Sequence, residues 1–180
     1  MANARMNNVA QSLRPEEWTQ RVVPNTNLPA FTLWHCARAT DGTINFLLRG
    51  VPEVAERDPW RSDRVISHRG AGTGFTLAEA DDLAGRVSVE RVLTYAADVR
   101  ADAAAWLKTV DDEYLDTIPD YIARRDASPV YGTPAYVESM RDLDGQPVWR
   151  HLITTCYSHV WSHLEEVVLL VGAQRRPPPS

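Results

Sequence analysis

Lysine is almost missing from this chain: Lys108 stands alone among 19 basic residues, and the arginines are scattered. With 24 acidic residues and a formal net charge of −5, the sequence lacks the clustered cationic surface that nucleic acid requires. Cysteine is scarce as well. Cys36 and Cys156 are too few for a disulfide framework. No N-terminal apolar segment reads as a signal peptide, and no run is long enough to span a bilayer, so no membrane association is expected. These absences together give an expected cytoplasmic location with reduced thiols. No stretch alternates cleanly enough to read as a strand, and no internal repeat is visible. At 180 residues, the expectation is one domain over 1–180, ending in a disordered tail from about 173 to 180.

Helical periodicity is what the chain does have. Residues 1–13 are polar and weakly helical, and Pro15 suits the start of a turn or two through Trp18. A strong helix is predicted over 29–49, stopped by Gly50. Residues 50–75 read as a long surface loop. Its Arg69-Gly70-Ala71-Gly72-Thr73-Gly74 run lacks the third glycine of a dinucleotide fingerprint, Phe75 standing there, and no P-loop lysine follows. Thr76 and Glu79 form a capping box, and Ser88 caps a long helix over 89–110 with a core stripe of Val92, Ala96, Val99, Ala103 and Trp106. Pro119, Pro129, Gly132 and Pro134 break residues 111–146, a length that points to a pocket cover. Thr133-Pro134 can start a short helix there, and a last helix is predicted over 147–171.

That last helix carries the chemistry. His159 and His163 are one turn apart and share a face with Leu152, Cys156, Val167 and Leu170. Imidazoles on a stripe that should be dry are either a metal site or a hydrogen-bonded core pair. Val160, where a zincin carries Glu, excludes that protease class. His35 occupies a similar position on the 29–49 helix, among Leu28, Phe31, Ala39, Gly42 and Phe46.

Leu13 to Trp18, then Trp34-His35-Cys36-Ala37-Arg38-Ala39-Thr40-Asp41, then His159-x-x-x-His163-x-x-Glu166 resemble, in that order, the DinB/YfiT-like family. The resemblance implies an all-α four-helix bundle, here with long loops between helices. It also implies a divalent metal, zinc or nickel, on His35, His159 and His163. Family members include thiol-dependent transferases and isomerases using mycothiol or bacillithiol, so a low-molecular-weight thiol co-substrate and a small-molecule substrate are implied. Glu166 matches a family Glu and is read as a supporting carboxylate or general base, against an ordinary surface carboxylate. The alternative to a metal-dependent enzyme is a non-catalytic, stress-associated metal-binding bundle.

Other residues carry blander readings. Cys156 and Cys36 read as packing, Arg38 and Asp41 as a structural ion pair, and His151 and His68 as solvent or lid residues. Leu33, Ile44, Leu47, Val168 and Leu169, read as exposed apolars, suggest a homodimer.

Overall fold

Pro29 has no amide hydrogen to lose at a helix start, and Gly50 takes the left-handed conformation (φ 65°) that ends a helix. Between them runs α2, α-helical over Pro29–Asp41 and π-helical over Gly42–Arg49. In the computed structural model, which describes residues 2–21, 23–68 and 70–175, α2 is the central element. It packs against α4 (Val89–Leu107) and α8, and α1 (Ala2–Ser12) packs against those same two helices. Helix α8 covers 148–174 in three parts: α-helical Val148–His151, π-helical Leu152–His159 and α-helical Val160–Gln174. These four helices enclose one core, in which Met6, Trp34, Val92, Tyr95, Leu164 and Val171 are all buried. The described residues contain no strand, as an all-α bundle requires. No described helix is long and apolar enough to cross a membrane.

Short elements complete the chain. Thr76 caps α3 (Leu77–Ala84) in the expected box, its hydroxyl accepting from the Glu79 amide while Glu79 reaches back to Thr76. Ser88 caps α4 by accepting from the Arg91 amide. Three short helices, α5 (Asp112–Leu115), α6 (Ile122–Ala127) and α7 (Pro134–Met140), fill the proline-broken segment. Tyr121, Tyr131 and Leu143 of this segment, with Tyr136 and Met140 of α7, form a second apolar cluster with Leu47 of α2.

Three expectations need correction. Residues 50–75 are not a surface loop: Val54, Ala55, Trp60 and Ile66 are buried in the main core. They stay there because their polar groups are satisfied, the Trp60 indole donating to Asp98 and the Trp34 indole donating to the Val65 carbonyl, each at 2.9 Å. Leu33, Ile44 and Leu47 are buried within the chain and Val168 packs partly against the core, so of the apolars on which a dimer was expected only Leu169 is exposed. Exposed apolar side chains on α8 instead recur at four-residue steps, Trp149, Ile153, Tyr157 and Trp161.

The third correction concerns the tail. Helix α8 continues through Gln174, and Arg175 reaches back to Glu17 at 2.6 and 2.7 Å and to the Ser12 carbonyl at 2.8 Å. Only 176–180 of the expected disordered stretch lie outside the described residues. The Arg175 guanidinium holds the buried Glu17 carboxyl down at about 2, against an ordinary 4.5. A depressed carboxyl stabilises the fold above its unfolded value and loses that contribution as pH falls toward the folded one. Glu17→Gln should therefore melt below the parent at pH 7, and the gap should close between about 4.5 and about 2. Thermal melts of both proteins across that range check it; a gap independent of pH would refute the pairing.

Candidate metal centre

Helix α2 presents His35 toward α8, and α8 presents His159 and His163 from successive turns. One nitrogen from each ring lies within 4.8 Å of the others. The closest pair is His35 Nε2 and His159 Nε2, at 2.9 Å. The ring of His163 stands edge-on to both neighbours, its centroid 5.1 Å from that of His35 and 4.5 Å from that of His159.

Each outer histidine is held by its far nitrogen. His35 Nδ1 donates to the Ala71 carbonyl at 2.6 Å, which leaves Nε2 as a lone pair aimed into the cluster. His163 Nδ1 meets a Glu166 carboxylate oxygen at 3.2 Å, so its Nε2 is the nitrogen left for the cluster. Glu166 thus stands beside His163 on α8, where the three-residue spacing puts it.

The carbonyl that holds His35 comes from the glycine-rich run that fails as a phosphate loop. Gly70, Gly72 and Gly74 have φ of 73°, 80° and 85°, the region that glycine adopts without penalty. A Cβ on Gly72 would stand 2.8 Å from Phe31, so only glycine lets the loop close on α2. Arg38 fixes the same loop, its Nε donating to the Gly70 carbonyl at 3.2 Å.

Burial sets the charge state. It pushes His35 down to about 4, the Ala71 hydrogen bond opposing and His163 assisting. Burial, then the proximity of His35 and His163, pushes His159 down to about 3. Both are therefore neutral imidazoles at pH 7, the form that ligates metal. The three histidines could hold one metal ion.

A family model of the DinB superfamily matches residues 1–167. The chain belongs to the DinB superfamily. The match takes in His35, His159, His163 and Glu166, and stops one residue beyond Glu166. A search of curated proteins finds no match.

Beside the histidines, this DinB superfamily chain has a pocket of about 410 Å³, walled by Phe31 and Phe75 on one side and by Tyr131, Tyr136 and Met140 of the broken segment on another. Thr154 and Thr155 of α8 complete it, and Thr154 owes its place to the π-helical turns. A π-helix advances roughly 82° per residue against about 100° in an α-helix. Thr154 would stand about 140° from His159 in α register but stands about 50° away in π register. Cys156 moves the other way, from about 60° to about 114°, and lines a cleft on the far side of α2. Burial raises the thiols of both Cys156 and Cys36 to about 12, so neither is a thiolate near neutrality.

His151 is not a solvent or lid residue: it is fully buried, with the Tyr121 ring edge-on at 5.1 Å. His68 is half-buried between the Trp34 and Phe75 rings. Arg38 and Asp41 do form a buried ion pair, at 3.3 Å, within a larger network. Arg38 also pairs with Glu53 at 2.5 Å, and Glu53 accepts from the Tyr131 hydroxyl at the pocket wall. Ala71, Thr154 and Tyr131 carried no sequence signal, because each reaches the site through backbone geometry or from a distant segment.

Proposed function

We propose that His35, His159 and His163 bind one divalent cation, zinc or nickel, and that the protein is a metal-dependent enzyme acting on a small molecule. The observation that carries this is the convergence of three imidazole nitrogens within 4.8 Å in the lining of a 410 Å³ pocket. The donor set suits the metal: neutral imidazoles ligate zinc and nickel, and each outer ring is oriented from behind. Three protein ligands leave a position open, where a bound cation would lower the pKa of a water or a thiol and supply a nucleophile at neutral pH.

The chain's own residues have separate roles in this reading. Ala71 and Glu166 orient the ligating rings. Phe31 and Phe75 exclude water, while the hydroxyls of Thr154 and Thr155 offer hydrogen bonds to a substrate. A thiol S-transferase or isomerase is the favoured reaction, with a low-molecular-weight thiol as co-substrate; in a hydrolase Glu166 is the candidate base. The pocket beside the histidines favours these over a non-catalytic metal-binding bundle.

A panel of thiols paired with small electrophiles, assayed with the metal bound and after chelation, tests the proposal. Turnover lost on chelation and restored by zinc or nickel is the expected result; bound metal with no turnover across the panel favours the non-catalytic reading. Glu166→Gln keeps the shape and removes the charge behind His163, and should weaken metal binding about 10- to 100-fold. Competition with a chromophoric chelator measures that loss; an unchanged affinity would leave Glu166 an ordinary surface carboxylate.

A further inference from the structure

Helix α2 has a second hollow on its other face. While His35 and Thr43 line the histidine pocket, Ala37, Thr40 and Ile44 line a cleft of about 320 Å³ shared with α1, α4 and α8. Its floor is apolar and buried, formed by Met6, Ala37, Ile44, Val99 and Val160. The hollow exists because the facing positions on α2 and α4 are small, with Ala37 and Thr40 opposite Ala96 and Ala103, and because the π turn swings Cys156 to its wall without filling it. Leaving so much apolar surface uncovered is costly, which makes an apolar occupant favourable.

The rim says which occupant. Leu107 and Tyr157 are 41% and 42% exposed there, so the cleft opens to solvent. Arg100 is the one charged residue among the described lining, and it is exposed at the mouth. None of the ion pairs formed by described residues uses Arg100. The neighbouring Asp102 is already taken by Arg49 and Arg57, at 2.5 and 2.7 Å. An apolar slot with one uncommitted cation at its entrance matches a molecule with one hydrocarbon chain and one anionic head.

We propose that this cleft binds a monomeric amphiphile, a medium-chain carboxylate, with its chain between α2 and α4 and its carboxylate on Arg100. Tyr157 at the same rim can donate to the second carboxylate oxygen. The site lies across α2 from the histidines and needs no metal.

Calorimetric titration with octanoate, decanoate and decyltrimethylammonium tests the assignment. Decanoate should bind about fifteenfold more tightly than octanoate, since each buried methylene contributes roughly fourfold. It should bind at least tenfold more tightly than the ammonium probe, and Arg100→Glu should reverse that order. Ala103→Phe should abolish decanoate binding while leaving the metal-induced rise in melting temperature intact. Because Arg100 is exposed, the charge reversal remains a test if Ala103→Phe does not fold. His35→Ala should leave decanoate binding unchanged, which separates this site from the metal reading. Equal binding of both head groups, or no binding of either, would overturn the proposal. So would a dimer that buries the mouth, seen as a Leu107→Glu variant that is monomeric and, like the parent, binds no decanoate.

Discussion

Metal-free protein given zinc or nickel at a hundredfold excess over Kd is expected to gain about 2.7 kcal/mol of stability, because the cation binds the folded state alone. His159→Ala or His163→Ala should abolish that gain. The decisive variant is His35→Ala, since only a site shared between α2 and α8 makes the increment depend on a residue so far in sequence from His159 and His163. His151→Ala serves as the control. It opens a cavity in the core and lowers the melting temperature with and without metal, yet the increment itself should survive. The pH dependence has a definite sign. His35 and His159 titrate near 4 and 3 when folded and near 6.5 when unfolded, so the unfolded chain takes up protons first. The metal-free fold should thus lose stability as pH falls from about 6.5 toward about 4, and metal affinity should fall on the same side of neutrality. Melting curves with and without metal across that range decide the matter. If His35→Ala keeps the full increment, the three-histidine centre is wrong.

The parts of this centre that sequence could show are those set by helical period. His159 and His163 fall one turn apart, and His35 falls on a stripe bounded by Pro29 and Gly50, so local spacing alone placed all three on buried faces. The caps at Thr76 and Ser88 were readable for the same reason, being side chains that bond within their own turn. What was hidden depends on tertiary contact. Val54, Trp60 and Ile66 have no period, so nothing local marks their burial. Tyr95 escaped the stripe of α4 because it is drawn inward by a hydroxyl bond to Asp41 on another helix. The π turns of α2 and α8 pack against each other, and nothing in their composition differs from an ordinary helix. They turn Thr154 toward the pocket and Cys156 away from it.

Asp41→Asn should be among the most destabilising single changes in the chain, at about 3–5 kcal/mol. Asp41 is fully buried, and its two oxygens accept from Asn45 at 2.7 Å and from the Val54 and Ala55 amides at 3.0 Å each. They also accept from the Tyr95 hydroxyl and from Arg38 at 3.3 Å. An amide in that place has one oxygen where two are needed, and turns an NH₂ group toward other donors. It also leaves Arg38 buried with Glu53 as its sole carboxylate. The loss reaches the site, because Arg38 holds the Gly70 carbonyl and the next residue, Ala71, holds His35. Removing the exposed ion pair of Glu138 with Arg141 by Glu138→Ala should cost under about 1 kcal/mol, so the two variants bracket what burial adds to a charge. Denaturant unfolding of both measures the difference. An Asp41→Asn protein within about 1 kcal/mol of the parent would mean that this carboxylate does not anchor segment 51–57 to α2.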